Sequence, residues 1–429
     1  MWHWHESPAG GLYHRARLCR PGHDWRSPVL HHRHFVPVLR FKAGALAVSL
    51  SLLLASCSGG PAGLPGFDGP ASTEPAAPSG QTIGTGKVKV GLILPLGAEG
   101  QGGVVGNSLK NAAEMALAEF PNADLTLLVK DDRGTPEGAR AAAQEAISEG
   151  AELIIGPLFA PTVQAAGQVA RAANRPVIAF SSDSNVASRG VYLLSFPPEN
   201  DVNRVIAYAA QQGRKSFAAL LPDTAYGKVV EAAFQQAVAA RGARVAAIEH
   251  FGSDPATMRT AVQRLMPSLQ QADALFVPAA ADMMPALGQA LQQAGFDPRK
   301  VKPLGTGVWN DSGIAQVQAI QGGWFASPDT AGFNAFAGRY QQRFNSSPTR
   351  TATLSYDAVS LAAALARTQG SQRFSEAVLT NASGFAGADG VFRFRPDGQV
   401  ERGLAVLELR NGQIVTINAA PRDLGPRSQ

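Results

Sequence analysis

Side chains able to perform covalent or acid–base chemistry are scarce in this sequence, and their spacing matches no common catalytic motif. Seven of the eight histidines fall within the first 34 residues, which leaves His250 as the only later one. No Ser stands three residues before a Lys, and no Gly-x-Ser-x-Gly nucleophile elbow occurs. A single histidine supports neither a His-based metal cluster nor a Ser–His pair. The sequence therefore predicts a protein that is not an enzyme and needs no metal or cofactor.

A glycine-rich loop is the one feature that suggests enzyme chemistry. It lies between an expected strand and an expected helix, and Asp131 ends the next strand, which is the layout of a dinucleotide-binding unit. The spacing fails, because Gly100 and Gly102 require a glycine at position 105, where Val105 stands. Free N–H groups at the start of the helix still suit an anion or a ligand that contacts the backbone.

Cys57 is the residue with the clearest chemical role. A basic segment (Arg40, Lys42) precedes the uncharged apolar run 43–54, and Leu54-Ala55-Ser56-Cys57 closes it. This order is typical of a signal peptide, and the run is too short to cross a bilayer core of about 30 Å. The ending resembles the bacterial lipobox, which implies cleavage before Cys57 and attachment of a lipid to it. An ordinary signal peptide with a chance cysteine is the alternative.

The lipobox resemblance also predicts where the protein lies. Cys19 is the only other cysteine, and it lies in the part that cleavage would remove, so no internal disulfide is expected. Ser58 follows the lipid site, and a neutral residue there implies sorting to the outer membrane in well-studied proteobacteria. We therefore expect a periplasmic protein with a lipid anchor in the membrane.

Residues 1–35 do not fit the rest of the chain. They are rich in His and Trp and have no periodic pattern, so they are either a metal-binding His tract or, as we expect, not native coding sequence, with translation starting nearer Val36. Residues 1–42 hold seven of the 38 basic and two of the 33 acidic residues. The remaining chain is balanced at 31 of each, so nucleic-acid binding is not expected.

The composition divides the rest of the chain into segments. Residues 36–56 are the expected signal peptide, and residues 57–87 are rich in Gly and Pro, which predicts a flexible tether. Residues 88–418 are the expected folded body, and residues 419–429 are an expected disordered tail. About 330 residues are enough for two lobes with separate cores.

The folded body alternates short β-rich runs with longer helical ones, which is typical of parallel sheets. The expected strands fall in two series, at 88–94, 125–130, 153–155 and 177–180, and then at 217–221, 245–249, 274–277 and 301–304. Helices are expected at 104–120, 136–149 and 229–241. The predicted fold class is α/β, with two doubly wound parallel-sheet lobes and a ligand crevice at the carboxyl ends of the strands.

Several segments, in order along the body, resemble the leucine/isoleucine/valine-type periplasmic binding proteins. They are 129–136, Ile154-Ile155-Gly156-Pro157, Asp223-Thr224-Ala225-Tyr226-Gly227 and Ser355-Tyr356-Asp357-Ala358-Val359. The resemblance implies two lobes joined by three crossovers, near 196–198, 327–329 and 385–392. Lobe 1 would then comprise about 88–196 and 328–384, and lobe 2 about 198–326 and 385–418.

The resemblance also implies a ligand cleft between the lobes. The family's amino-acid binders grip the α-carboxylate with hydroxyl and N–H groups in lobe 1. Residues 157–162 here contain no run of Ser, whereas Ser181 and Ser182 in the next loop keep hydroxyls. An acid in lobe 2 usually meets the ammonium group, but none follows the strand 301–304 before Asp311. The positions that carry over as cleft candidates are Leu96, Gly97, Leu158, Phe159, Ser181, Ser182, Asp183, Asp223, Tyr226, Asp282, Thr306 and Trp309. Asp223 or Asp282 would replace the missing acid, and Tyr226 would contact the ligand or cap the following helix.

A closer resemblance is to the penicillin-binding-protein activators, a lipoprotein branch of the same family. It rests on 305–311, 322–326 and 384–394. This branch implies a regulator that contacts a peptidoglycan synthase. The alternative is a solute-binding protein that delivers an amino acid to an ABC permease. The expected ligand is a small molecule such as an amino acid or a cell-wall fragment, and Trp309 or Trp324 is either a partner contact near the cleft or part of the core.

Overall fold

The computed structural model describes residues 80–120 and 122–425. The predicted N-terminal extension, the signal peptide, Cys57 and most of the 57–87 tether lie outside the described residues. The last four residues of the predicted tail lie outside them as well.

The chain first builds most of lobe 1. Its elements are β1 (Gln81–Ile83), β2 (Val88–Leu94), α1 (Gln101–Glu119), β3 (Leu125–Asp131), α2 (Pro136–Ser148), β4 (Leu153–Ile155), α3 (Ala160–Ala172), β5 (Val177–Ala179) and β6 (Val191–Leu193). They form a six-stranded sheet in the order β1-β3-β2-β4-β5-β6, in which all neighbours are parallel except β1 and β3.

After a first crossover the chain builds lobe 2. Its elements are α4 (Pro198–Gln211), β7 (Ser216–Pro222), α5 (Ala225–Ala239), β8 (Arg244–Phe251), α6 (Pro255–Leu269), β9 (Ala274–Phe276), α7 (Met284–Gln293), β10 (Lys302–Gly305), α8 (Ser312–Ala315) and β11 (Trp324–Ser327). Strands β8-β7-β9-β10-β11 are parallel neighbours in that order.

The chain then returns to lobe 1 and finally ends in lobe 2. The returning elements are α9 (Thr330–Phe344), α10 (Ala352–Thr368), α11 (Glu376–Leu379), β12 (Phe385–Gly387), β13 (Gly390–Phe394) and β14 (Val400–Arg402). The last strands extend the lobe 2 sheet: β15 (Ala405–Arg410) pairs antiparallel with β11, and β16 (Gln413–Asn418) pairs antiparallel with β15.

Helices cover both faces of each main sheet, which explains why the strands read as continuous apolar runs. In β2, six of the seven residues are buried. Lobe 1 has one core on each side of its sheet, and lobe 2 has the same arrangement. The predicted fold class, two doubly wound parallel-sheet lobes joined by three crossovers, is confirmed. Among the described residues, no helix has both the length and the apolar character needed to cross a membrane.

Two predicted boundaries need correction. The tether was expected to reach residue 87, but β1 pairs with β3 through Gln81 opposite Val129 and Ile83 opposite Leu127. Without β1, strand β3 would end the sheet with unpaired N–H and C=O groups. Ile83 also packs on the lobe 1 core, so the ordered body begins before Val88.

The third crossover also lies later than predicted. Residues 385–392 were expected to cross between lobes, but Phe392, Phe394 and Val400 belong to the lobe 1 core. The ring of Phe394 lies 5.4 Å from that of Tyr192, measured between ring centroids. The chain instead enters lobe 2 at Leu404, which packs in a lobe 2 core. The aromatic side chains of 385–394 therefore anchor a small antiparallel sheet on lobe 1 rather than form a hinge.

Trp309 occupies the centre of a lobe 2 core and has no exposed surface. Its indole Nε1 donates a hydrogen bond to the Val277 carbonyl oxygen at 2.9 Å. The ring packs against the backbone of Gly305, where an added Cβ would lie 2.2 Å from the Trp309 Cδ2 atom. Gly305 therefore allows β10 and the indole to approach closely.

We predict that Gly305→Ala destabilises the protein by about 1–3 kcal/mol, because the new methyl group overlaps the buried indole. The free energy of unfolding in urea measures this change. Gly338→Ala is the matched control, since Gly338 is exposed within α9 and an added Cβ there meets nothing within 4 Å. It should stabilise the protein by about 0.5–1 kcal/mol through helix propensity. Equal effects of the two substitutions would contradict the packing argument.

Candidate functional site

A cavity of about 710 Å³ lies between the two lobes at the carboxyl ends of their parallel strands. We call it the interlobe cavity. Lobe 1 contributes residues 182–185 after β5 and Arg350 before α10. Lobe 2 contributes the start of α4, residues 225, 226 and 229 of α5, and the loop after β10, while the first and second crossovers supply Phe196 and Pro328. This is the position that parallel α/β sheets provide for ligands.

A second cavity, of about 550 Å³, adjoins the first on the lobe 1 side, and we call it the side cavity. The two share Ser182, Asp183 and Phe196 as lining residues. Leu158 and Phe159 also line the side cavity, and 37% of the Phe159 surface is exposed. Leu158 and Phe159 therefore present apolar surface to the side cavity.

The loop after β5 holds its polar side chains by local hydrogen bonds. The buried Ser181 hydroxyl oxygen accepts the Asp183 N–H at 3.1 Å. Asp183 Oδ1 accepts the N–H of Asn185 at 3.0 Å and so caps the short helix Ser184–Val186. Ser182 and Asp183 are exposed to the cavities. Three candidates from the sequence, Ser181, Ser182 and Asp183, thus meet at the lobe 1 wall.

Leu96 and Gly97 lie in the loop after β2 and do not line either cavity. Leu96 packs on the lobe 1 core. The Gly97 N–H donates to Asp131 Oδ1 at 3.0 Å, and the same oxygen accepts the N–H of Arg133 at 2.8 Å. Asp131 therefore holds the glycine-rich loop in place.

Tyr226 forms part of the lobe 2 wall, and the buried Thr306 supports it from behind. Tyr226 lines the interlobe cavity, and its hydroxyl lies 2.6 Å from the hydroxyl of the fully buried Thr306. Burial raises the pKa of Tyr226, so the phenol stays protonated at neutral pH. Thr224, not Tyr226, caps α5, through its hydroxyl oxygen and the N–H of Gly227.

The structure separates the other lobe 2 candidates from the interlobe cavity. Asp223 lines a different cavity, of about 310 Å³, beside His250, and Asp282 is exposed ahead of α7. Trp309 lies in the core, which corrects its assignment to the cleft. Trp324 begins β11, at the end of the strand away from the cavity, and its indole N–H donates to Glu408 Oε2 at 3.2 Å. The acids proposed to replace the missing ammonium partner therefore do not reach the site.

Two carboxyl groups in the first turn of α4 occupy the site instead, and the sequence reasoning did not identify them. Glu199 and Asp201 both line the interlobe cavity. Asp201 Oδ2 accepts the N–H of Gly307, from the loop after β10, at 2.9 Å. Burial raises the pKa of Asp201 to about 7, with a further contribution from Glu199. The signal available in the sequence was Pro197-Pro198-Glu199-Asn200-Asp201, a helix start with acidic residues directly after a predicted crossover.

A group of aromatic and charged residues joins the crossovers behind this cavity. We call Phe196, Arg350, Asp357, Asp389 and Arg402 the hinge cluster. The guanidinium carbons of Arg350 and Arg402 each lie 4.5 Å from the centroid of the Phe196 ring. Both Nη atoms of Arg350 bond Asp389, at 3.0 and 2.8 Å. Arg402 Nε donates to the Ser195 carbonyl oxygen at 2.6 Å.

Asp357 is a buried acid of the hinge cluster. Only 3% of its surface is exposed, and its Oδ1 accepts the N–H of Ala388 at 2.7 Å. Burial raises the pKa of Asp357 to about 7, although the hydrogen bond and Arg402 oppose the shift. Its second oxygen has no hydrogen-bond partner among the described residues. The folded protein therefore favours the protonated form of Asp357.

The interlobe cavity offers polar groups from both lobes to a bound molecule. Several of these groups are held by hydrogen bonds, Asp183 within its own loop and Tyr226 and Asp201 to the loop after β10. No group of three or more His, Cys, Asp or Glu side chains suited to a metal ion occurs in residues 80–120 and 122–425. A molecule in the interlobe cavity would contact both lobes at once.

We predict that the stability of the protein falls as the pH rises from about 4 to about 7, in part because of Asp357. In this range the unfolded chain releases the Asp357 proton while the folded chain retains it, so the free energy of unfolding decreases with pH. Asp357→Asn should remove a pH-dependent loss on the order of 3 kcal/mol. Urea unfolding at pH 4.5, 6 and 7.5 measures it, with the exposed Asp282→Asn as control. An unchanged pH dependence in Asp357→Asn would refute the assignment.

Comparisons with known proteins agree with this geometry. A solved structure from Rhodospirillum rubrum has a TM-score of 0.69 at 19% identity and covers 77% of this chain and 99% of its own. The branched-chain amino acid transporter substrate-binding protein LivJ from Streptococcus pneumoniae, in complex with isoleucine, has a TM-score of 0.54 at 18% identity, with 78% and 99% covered. A solute-binding protein from Rhodopseudomonas palustris, in complex with 3,4-dihydroxybenzoic acid, has a TM-score of 0.55 at 23% identity, with 78% and 96% covered. At these identities the likeness shows the fold.

Sequence comparison gives the family. An uncharacterised protein of Rickettsia prowazekii is 20% identical over 179 residues, so this chain spans about half (47%) of the length of that relative. The family model described as periplasmic binding protein matches residues 87–413, which is most of the chain and nearly all of its folded body. The chain belongs to the periplasmic binding protein family, and its fold is the two-lobed type I form.

Proposed function

We propose that this chain is a non-enzymatic binding protein that holds a small organic molecule between its lobes, outside the cytoplasm. The observation that carries the proposal is the interlobe cavity of about 710 Å³, lined by residues of both lobes. Ligand pockets of proteins measure about 300–1,000 Å³ and combine apolar walls with a few placed polar groups. Here Tyr226, Asp201 and Asn310 supply polar groups, and Val229 and Val308 supply apolar surface.

Binding in this position is coupled to the arrangement of the lobes. A ligand that contacts residues 182–185 of lobe 1 and α5 of lobe 2 stabilises the arrangement in which both walls reach it. The three crossovers are the segments that absorb such a change. Delivery of the bound solute to an ABC permease is the first role that we propose. Its support is that the S. pneumoniae and R. palustris relatives are named as transporter binding proteins.

Regulation of a peptidoglycan synthase by direct contact is the second candidate role. It is favoured by the departures from the amino-acid grip of the family. Residues 157–161 provide no hydroxyl group, and the Asp311 carboxylate is engaged in capping α8 through the N–H groups of Gly313 and Ile314. A binding protein that has lost this grip either takes a different ligand or acts through a protein partner.

We predict that a bound ligand raises the melting temperature of the protein and that Ala225→Trp abolishes the effect. Ala225 is an exposed residue in the cavity wall, so the larger side chain occupies ligand space. A ligand at 100 times its dissociation constant adds about 2.7 kcal/mol of stability, which thermal unfolding detects. Ala239→Trp, exposed at the other end of α5, is the matched control.

The same experiment separates the two roles. A shift with amino acids, aromatic acids or amines that is lost only in Ala225→Trp supports a solute-binding protein. No shift with any compound, together with faster glycan polymerisation by a purified peptidoglycan synthase on addition of the protein, would favour the regulator.

We propose in addition that a lipid on Cys57 anchors the protein to a membrane, and we expect Cys57→Ser to abolish the anchor. The support is the ending Leu54-Ala55-Ser56-Cys57 after an apolar run. Cells fed radiolabelled palmitate should label the wild type and the control Cys19→Ser, and both should fractionate with membranes. Labelling that persists in Cys57→Ser would rule out this lipid site.

A further inference from the structure

The walls of the interlobe cavity carry more negative than positive charge. Asp183 comes from lobe 1, and Glu199 and Asp201 come from lobe 2, whereas among the described residues Arg350 is the only cationic side chain in the lining. The guanidinium of Arg350 is already paired with the buried carboxylate of Asp389 through two hydrogen bonds. Arg350 and the buried Arg402 act on Asp201 from a distance. Among the described residues, however, none of the three carboxylates forms an ion pair with a cationic side chain.

Glu199 gives a separate indication that a hydrogen-bond donor binds in this cavity. Its Oε2 atom is buried and has no hydrogen-bond partner among the described residues. A buried acceptor without a donor costs about 1–3 kcal/mol, and more when it is charged. An ammonium group in the cavity brings three N–H donors and a positive charge next to the Glu199 carboxylate, and it also favours the ionised form of Asp201.

The surface between the acidic groups is largely apolar. Its residues are Pro198, Ala225, Val229, Val308 and Pro328, and 41% of the Val229 surface is exposed. Such a surface suits methylene groups rather than further polar groups, because burying apolar area contributes about 25 cal/mol per Å². The lining therefore matches a ligand with charged ends and an apolar middle.

A ligand carboxylate fits this site poorly. The N-termini of α4 and α5 would attract an anion, but the first turn of α4 already holds Glu199 and Asp201. At α5 the Thr224 hydroxyl already accepts the N–H of Gly227. An α-carboxylate would also approach Asp183, and like charges repel strongly where water is excluded. These contacts disfavour a zwitterionic amino acid.

We infer that the interlobe cavity selects an organic dication, with two amine groups joined by a short methylene chain and no carboxylate. The inference rests on the proposed function, in which this cavity holds a small organic molecule. One ammonium group meets Asp183 on lobe 1, and the other meets Glu199 and Asp201 on lobe 2. The methylene chain lies along the apolar surface between them, so the ligand itself links the lobes.

The test is calorimetric titration of the purified protein at pH 7.5 with 1,5-diaminopentane and with 5-aminopentanoate. The two compounds have nearly the same length, but the second carries a carboxylate in place of one ammonium group. We expect the diamine to bind at least 10-fold more tightly. Isoleucine and benzoate are titrated in parallel, as representatives of amino-acid and aromatic-acid ligands.

Substitutions test whether Glu199 and Asp183 bind the diamine. Glu199→Gln and Asp183→Asn should each weaken diamine binding at least 10-fold, because each removes a charge while keeping the size of the side chain. Asp282→Asn removes an exposed acid outside the cavity and should change the affinity less than 2-fold. Asp183 is exposed, so Asp183→Asn remains informative if Glu199→Gln does not fold, as judged by its melting curve.

The outcomes distinguish the inference from the proposed function. Tight diamine binding that is lost in Asp183→Asn supports the inference. Binding of isoleucine, benzoate or 5-aminopentanoate as tightly as the diamine or more tightly, and lost in Ala225→Trp, overturns the inference and leaves the proposed function standing. An absence of binding by all four compounds overturns the inference and, if a wider set of solutes also fails, counts against the proposed function too.

Discussion

The packing of two guanidinium groups on the Phe196 ring is the interaction on which the junction of the lobes depends. Phe196 belongs to the first crossover, Arg350 precedes α10 in lobe 1, and Arg402 ends β14 just before the third crossover. Taking a cation out of water costs several kcal/mol unless partners replace the solvent. Arg350 is partly exposed and pairs with Asp389. Arg402 is buried, and its Nε donates to the Ser195 carbonyl oxygen, while its two Nη atoms have no hydrogen-bond partner among the described residues. The nearby charges of Asp389 and Asp357 and the Phe196 ring, 4.5 Å from both guanidinium carbons, offset part of the cost. Segments far apart in sequence are thereby held to one aromatic ring.

The same junction sets the chemistry of the cavity in front of it. Because Asp389 neutralises Arg350, the guanidinium in the cavity wall offers little net charge to a ligand. Glu199 and Asp201 follow Phe196 by three and five residues and reach the cavity from the first turn of α4. Asp201 also links this turn to the loop after β10 through Gly307. The crossover thus joins the two lobes and also brings the acidic groups to the ligand space.

Sequence patterns predicted the individual strands and the fold class well. The strands at 88–94 and 153–155 have the predicted ends, and the other predicted strands differ by one or two residues. These segments are apolar on both faces, and that pattern does not depend on which neighbour a strand has. Strand β1 was missed because three residues are too few to show a periodic pattern, and they follow a Gly- and Pro-rich segment. These residues become a strand only by pairing with the open edge of β3. Residues 385–392 were predicted to form a crossover between the lobes. The prediction was wrong because a phenylalanine in the sequence does not indicate which lobe it packs on.

The sequence by itself determined that the chain carries two successive α/β sets and that its apolar runs form parallel strands. It also determined that side chains able to perform catalysis are scarce. These properties follow from local composition and period. Only the tertiary structure decided which side chains meet in the cavity. It brought Asp183, Tyr226, Glu199 and Asp201 together, kept Asp223 and Asp282 apart from them, and buried Trp309 behind Gly305. The physical reason is that a cleft between lobes is built from loops distant in sequence, whose meeting depends on the packing of two sheets and the charges at their junction.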